Sequence, residues 1–177
     1  MENNKPVLPI QYIILDTNII QYIGDRHIGA DLMQYLLDVV KRGFGFAISE
    51  VSTYELLSGA TIRQEQQVSA ILSNFMKYSV DSSVLITASQ LSTIYKNEKI
   101  PEQSISMADK IIGATAILTG SLVMTADIND YPRPFFTEVE EKSFYYRHKN
   151  KMCMRIVQLL RSNLQVMQQR FSERPEN

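Results

Sequence analysis

The chain alternates short apolar runs with longer segments in which apolar residues recur every three or four positions. Short apolar runs with polar borders are typical of buried strands, and the longer period is typical of helices that bury one face. Strands are predicted at 12–15, 44–48, 78–80, 121–125 and 135–139, and helices at 28–42, 50–57, 61–77, 83–96 and 104–119. Because helices separate successive strands, this order predicts an α/β fold with a mostly parallel sheet covered on both faces.

The C-terminal part of the chain has a different pattern. Its apolar residues fall at helical spacing on an otherwise polar segment: Met152, Ile156, Leu159, Leu160, Leu164, Met167 and Phe171. This stripe predicts an amphipathic helix over about 151–171. We therefore predict a main domain at 1–140 and a basic C-terminal extension with this helix at 141–177.

Composition narrows the class of protein. A length of 177 residues with 45% hydrophobic content suits one domain with a sizeable core. The only cysteine, Cys153, cannot form an internal disulfide, and the N-terminus lacks the pattern of a signal peptide. No apolar run approaches the roughly 18 residues that a membrane helix needs. We expect a cytoplasmic protein without a membrane partner.

The net charge of −1 conceals an uneven distribution. Residues 142–172 contain seven Lys or Arg and no Asp or Glu. A polyanionic partner and a solvated helix face explain this equally well. The segment also contains Tyr145 and Tyr146, and cations that contact phosphate beside aromatic rings are typical of RNA binding. The residues predicted to bind RNA are Lys142, Arg147, Lys149, Lys151 and Arg155.

Two acids lie just after predicted strands. Asp16 ends the run that begins at Tyr12, and Asp127 follows the run 121–125. In open parallel sheets, ligands bind beyond the carboxyl ends of the strands, so the two acids meet there if their strands are neighbours. Taken singly, each acid of the chain has an ordinary explanation: a helix cap for Asp16 or Asp109, a solvated helix residue for Glu55, and a turn former for Asp127 or Asp130.

The residues around four acids match one family in order and interval. The motifs are Leu15-Asp16-Thr17-Asn18, Glu55-Leu56-Leu57-Ser58-Gly59-Ala60, Ala108-Asp109-Lys110-Ile111-Ile112-Gly113-Ala114-Thr115-Ala116 and Thr125-Ala126-Asp127-Ile128-Asn129-Asp130-Tyr131. Together they resemble the PIN-domain nucleases, and most closely the VapC-like toxins, over about residues 11–137. The resemblance implies a three-layer α/β/α fold with about five mainly parallel strands, to which the helical extension is added.

The resemblance also implies a site. Asp16, Glu55, Asp109 and Asp127 match the family's catalytic and metal-binding acids, and the supporting positions are Thr17, Asn18, Thr125 and Asp130. Tyr131 stands where Phe is more usual, which is a mild change. Mg²⁺ and Mn²⁺ prefer oxygen ligands, so these acids suit either ion.

The function implied is that of a metal-dependent endoribonuclease that is the toxin of a type II toxin–antitoxin pair. Its partners would be an RNA substrate, an antitoxin and a second copy in a homodimer. Two alternatives stay open at this point. One is a PIN-fold adaptor that binds RNA or protein without cutting, and the other is an RNA-processing nuclease without an antitoxin.

Overall fold

The structure is a computed structural model that describes residues 10–101 and 104–172. Its strands are β1 Gln11–Leu15, β2 Phe44–Ser49, β3 Met76–Tyr78, β4 Leu122–Thr125, β5 Phe136–His148 and β6 Lys151–Ser162. They form one six-stranded sheet in the order β3-β2-β1-β4-β6-β5. The first four strands run parallel, whereas β6 pairs antiparallel with both β4 and β5. The predicted α/β fold is confirmed.

Seven α-helices lie in the described residues. They are α1 Thr17–Ile23, α2 Gly29–Lys41, α3 Glu50–Gly59, α4 Ile62–Leu72, α5 Ser82–Asn97, α6 Met107–Thr119 and α7 Leu164–Ser172. The predicted helices did not include α1, which has only seven residues and was considered only as the helix that Asp16 would cap. Two turns of helix present too little apolar periodicity to stand out from the strand before them.

The sheet buries both of its faces. Ile13 and Leu15 belong to a core that includes residues of α1 and α2, whereas Ile14 belongs to a second core built with α5 and α6. Successive side chains of a strand point to opposite faces, so one strand supplies both cores. Burying each large aliphatic side chain contributes roughly 1.5–3 kcal/mol.

The helix predicted at 151–171 is wrong over 151–162, where the chain forms β6. Both Leu159 and Leu160 are buried, because helices cover both faces of the sheet and the two side chains point into opposite cores. A strand that is buried on both faces lacks the alternation of apolar and polar residues, so its apolar positions can fit the spacing of a helix. Helix begins only at Leu164.

β5 and β6 form a long hairpin that packs on the rest of the fold. Its two turn residues, Lys149 and Asn150, have positive φ values of 45° and 62°, as tight hairpin turns require. Phe144 lies edge-on to Tyr35 of α2, with ring centroids 6.0 Å apart. The boundary predicted after residue 140 falls inside β5, so the hairpin belongs to the same sheet as the strands before it.

None of the described helices is both long and apolar enough to cross a membrane.

Candidate active site

The two strands that end in acids are direct neighbours. β1 and β4 pair in parallel, with Leu15 opposite Met124. The backbone N–H of Asp16 donates to the carbonyl oxygen of Met124 at 3.0 Å. Asp16 and the residues after Thr125 therefore lie at the same edge of the sheet, where the sequence interpretation expected them.

Three carboxylates from separate elements meet at this edge. Asp16 follows β1, Asp109 lies in the first turn of α6, and Asp130 ends a 3-10 turn, Ile128–Asp130, that follows β4. One carboxylate oxygen from each lies within 4.8 Å of the other two. We call Asp16, Asp109 and Asp130 the acidic cluster.

Side chains around Asp16 fix its orientation. It is only 2% exposed, and its Oδ2 accepts hydrogen bonds from Thr125 Oγ1 at 2.7 Å and from Asn18 Nδ2 at 2.8 Å. Asn18 is held in turn, because its Oδ1 accepts from the N–H of Ala126 at 3.1 Å. Asn18 and Thr125, predicted as supporting residues, thus tie Asp16 to the end of β4.

Asp109 is held by the start of its own helix. Its Oδ2 accepts from the backbone N–H of Ser106 at 3.0 Å, and the hydroxyl of Ser106 accepts from the N–H of Asp109 at 3.1 Å. This reciprocal capping box satisfies two N–H groups that the first helical turn leaves without helical partners. It also leaves the carboxylate at the helix end that faces Asp16.

Two acids of the predicted quartet lie beside the cluster rather than in it. Glu55 on α3 accepts a 2.6 Å hydrogen bond at Oε2 from Thr17 Oγ1. Asp127 is exposed, and its Oδ1 accepts from the N–H of Asn129 at 3.1 Å and from Asn129 Nδ2 at 2.9 Å. Asp127 therefore caps the 3-10 turn, and that turn brings Asp130 into the cluster in its place.

Burial and mutual repulsion raise the pKa values of two members. The pKa of Asp16 rises to about 6, mainly through desolvation and further through the charges of Asp109 and Glu55, although the hydrogen bond from Thr125 opposes the rise. Desolvation also raises the pKa of Asp130 to about 7, with added repulsion from Asp109, Asp127 and Asp16. The cluster is thus an unbalanced concentration of negative charge that a cation would stabilise.

A family model described as PIN domain matches residues 13–133. The chain belongs to the PIN domain family.

Solved structures agree with this assignment of the fold. A toxin–antitoxin complex from Klebsiella pneumoniae contains a chain 25% identical to this one, with a TM-score of 0.54, and the match covers 69% of this chain and 92% of that chain. VapBC2 from Rickettsia felis, bound to a DNA fragment from its promoter, is 21% identical with a TM-score of 0.58. The match covers 68% of this chain and 91% of that chain. FitAcB from Neisseria gonorrhoeae gives 21% identity and a TM-score of 0.54 over 67% and 90%. Curated protein sequences give no match.

A buried tyrosine lies next to the acids of this PIN site. Tyr131 is 1% exposed, and its hydroxyl has no hydrogen-bond partner among the described residues. Burial raises its pKa well above the usual value, and the charges of Asp16, Asp109 and Asp130 raise it further. The sequence interpretation recorded Tyr131 only as a replacement for Phe. Its position directly after Asp130 was the available signal of a place in the site.

The residues predicted to bind RNA lie on the β5–β6 hairpin, outside the acidic cluster. The guanidinium of Arg155 lies over the ring of Tyr22 on α1, 5.1 Å from its centroid. Lys142 pairs with Val157, and Lys151 pairs with His148. Both pairs lie on the same face of the hairpin as Arg155, because Val157 and Lys151 are an even number of residues from it along β6. Arg147 lies on the opposite face, and Lys149 lies in the turn. The five residues therefore do not form one surface.

Removal of the Thr125 hydroxyl tests how firmly Asp16 is held. Thr125→Val keeps the side-chain shape but removes the donor to Asp16 and the acceptor for the N–H of Asp127. We expect the free energy of unfolding in denaturant titration to fall by about 1–2 kcal/mol, the usual cost of a lost buried hydrogen bond. Thr137→Val is the control, because Thr137 is exposed and its hydroxyl donates to the carbonyl oxygen of Arg161 at 3.3 Å. Equal stability changes in the two variants would contradict this role.

Proposed function

We propose that this PIN domain is a metal-dependent endoribonuclease and the toxin of a toxin–antitoxin pair. The observation that supports the chemistry is the convergence of Asp16, Asp109 and Asp130, whose carboxylate oxygens lie within 4.8 Å of one another. Three acids on three different elements, two of them with raised pKa values, form an arrangement that is typical of functional sites.

The donor set fits a hard divalent cation. It consists of carboxylate oxygens, which Mg²⁺ and Mn²⁺ prefer, and few carboxylates suffice because Mg²⁺ keeps several waters. Asp16, Asp109 and Asp130 would hold the ion, with Glu55 and Asp127 beside them. When bound, such an ion polarises a phosphate and lowers the pKa of an attacking water.

The chain's other residues give the site its order before any substrate arrives. Thr125 and Asn18 fix the carboxylate of Asp16, and Thr17 fixes that of Glu55. Asp127 holds the turn that carries Asp130. Tyr131 is buried next to the three carboxylates, whose charges act on its hydroxyl. Preorganised ligands of this kind avoid the cost of ordering them during the reaction.

Cleavage of RNA by the purified chain tests the nuclease proposal. Single-stranded and structured RNA are incubated with Mg²⁺, with Mn²⁺ and with excess EDTA, and the termini of the products are determined. We expect cleavage with either metal, none in EDTA, and 5′-phosphate and 3′-hydroxyl ends, the products of water attack in line with the leaving 3′ oxygen. Intact RNA with both metals, or equal cleavage in EDTA, would rule out this chemistry.

The proposed partner is an antitoxin protein, since a solved complex of this kind contains a chain 25% identical to this one. We further propose a cytoplasmic location, which a nuclease acting on cellular RNA requires, and a homodimer. Induced expression in a bacterial host should arrest growth, and co-expression of a small neighbouring reading frame should restore it. An RNA-processing nuclease would cut RNA without arrest, and an adaptor would bind RNA or protein without cutting.

A further inference from the structure

The β5–β6 hairpin continues past the edge of the sheet where the acidic cluster lies. β4 ends at Thr125, which pairs with Gln158 of β6. Because the two strands are antiparallel, residues of β6 before Gln158 extend beyond the carboxyl end of β4, and β5 accompanies them to the turn at Lys149 and Asn150. The family match ends at residue 133, so this projection is an addition to the matched PIN region.

One face of the projection lies on the same side of the sheet as the acidic cluster. Thr125, which contacts Asp16, points to the same side as its partner Gln158, since directly paired residues share a face. At two-residue steps from Gln158, the same face carries Ile156, Met154 and Met152 of β6. Their partners on β5 are Ser143, Tyr145 and Arg147. We call these six residues the site-side face.

The opposite face of the hairpin is already occupied. Phe144 and Tyr146 belong to the core built with α1 and α2, and Arg155 covers Tyr22. The ring of His27 stacks near both Tyr146 and His148, with centroids 5.2 and 5.4 Å away. These contacts hold the hairpin in place. On the site-side face, Ser143 and Ile156 are half-buried, and the other four residues, toward the turn, are exposed.

The site-side face has the composition of a surface for unpaired bases. Tyr145 is 65% exposed and lies opposite Met154, which is 48% exposed. Arg147 follows two residues later, and Lys149 lies in the adjoining turn. An exposed aromatic ring accepts the face of any base, and a neighbouring cation contacts phosphate. Met154 is about 13 Å along the strand from Gln158, at roughly 3.3 Å per residue.

Charge favours a polyanion over a second copy of the chain. At the tip of the hairpin this face carries Arg147 and Lys149 and no acid, so two copies that met tip to tip would bring these cations close together. Like charges facing each other across an interface oppose association. Near the cluster, the face becomes acidic at Glu138 and Glu141, and Gln158 Nε2 donates to both carboxylates at 2.9 and 3.1 Å. Positive charge is therefore concentrated in the half of the hairpin farther from the acids.

We propose that the site-side face binds single-stranded RNA leading away from the acidic cluster, with a base stacked on Tyr145 and a phosphate on Arg147. This inference rests on the proposed function, because it describes the path that the RNA substrate of the nuclease takes along the protein. The hairpin would set the length and the unpaired state of the RNA that the site accepts.

Direct binding measurements test this assignment separately from cleavage. The probe is a fluorescent 12-nucleotide single-stranded RNA with Mg²⁺, and all proteins carry Asp109→Asn so that the probe stays intact. We expect Tyr145→Ala to weaken binding about tenfold and Tyr145→Phe to restore it, because stacking needs the ring and not the hydroxyl. Arg147→Glu should weaken binding and reduce the log–log salt slope by about 0.7, the value for one lost phosphate contact on a single strand.

The matched control is Arg161→Glu, an exposed arginine on β6 at the other end of the hairpin. It makes the same charge change on the same hairpin and should leave affinity and salt slope unchanged. Equal effects of Arg147→Glu and Arg161→Glu, or full affinity in Tyr145→Ala, would overturn the proposal. A change in self-association by gel filtration with unchanged RNA affinity would assign the face to a second copy. If the wild-type chain binds RNA through this face but never cuts it, the nuclease proposal fails and the hairpin assignment stands.

Discussion

Replacing Asp109 by Asn should reduce metal-dependent RNA cleavage on the order of a thousandfold while the chain stays folded. The substitution removes a negative oxygen from the acidic cluster but little volume, and it keeps an oxygen that accepts from the N–H of Ser106. Loss of one group that stabilises charge in a transition state costs about two to three orders of magnitude. Initial rates with saturating Mn²⁺ measure the effect, and circular dichroism checks the fold.

Two comparisons make this result specific. Asp31→Asn, an exposed acid on α2, is the control and should cleave at the wild-type rate. Asp130→Asn should reduce the rate more than Asp127→Asn, because Asp130 lies in the cluster and Asp127 caps the turn beside it. Wild-type turnover in Asp109→Asn would remove the acidic cluster from the mechanism. A larger loss in Asp127→Asn than in Asp130→Asn would show that the turn rearranges when metal or RNA binds.

The metal-free protein should become less stable as the pH rises from about 4 to 7. The folded pKa of Asp16, about 6, lies above its ordinary value of 3.8, so the native state binds more protons than the unfolded state in this interval. Stability then falls with rising pH, and the loss is complete above the folded pKa. Asp130, with a pKa of about 7, extends the trend to slightly higher pH.

Asp16→Asn should therefore stabilise the metal-free fold at pH 7.5, although it abolishes cleavage. The free energy of unfolding should rise by about 1–3 kcal/mol, because the pKa of Asp16 is raised by about two units and each unit corresponds to roughly 1.4 kcal/mol. Urea unfolding in EDTA at pH 5 and 7.5 measures it, and the variant should approach the wild type at the lower pH. Added Mg²⁺ should stabilise the wild type and not the variant. If the wild type instead became more stable between pH 5 and 7.5 in EDTA, ionisation of Asp16 and Asp130 would not destabilise the metal-free fold, and the prediction would be wrong.

The sequence predicted the sheet edge of the site well because its signals are local. Asp16 directly follows a buried strand, and Asp109 lies in a family motif within the helix predicted at 104–119. The capping box that Asp109 forms with Ser106 was not predicted. The sequence did not show that Asp130, and not Asp127, would lie in the acidic cluster. Which acid turns inward depends on a single 3-10 turn, and both are common turn residues.

The hairpin escaped prediction for a different reason. Its apolar residues at Met152, Ile156, Leu159 and Leu160 fit helical spacing, and the strand reading needed knowledge of neighbours on both sides. The turn at Lys149 and Asn150 carries no glycine, which is the strongest local sign of a two-residue hairpin loop. Pairing with β4 therefore determines that this segment is a strand, although its local sequence pattern also fits a helix.

The position of β6 sets the smallest piece of the chain in which the edge of β4 is covered. A protein cut at residue 133, where the family match ends, would lose both β5 and β6 and leave β4 with an unpaired row of backbone groups. An open, flat apolar edge of this kind invites strands from other molecules. In the intact chain the outermost strand is β5 instead, which carries Glu138, Glu140, Glu141, Lys142 and a bulge between Glu138 and Glu140. Charges and irregular pairing on this outer strand oppose the addition of another chain, so the hairpin protects the protein from aggregation through β4.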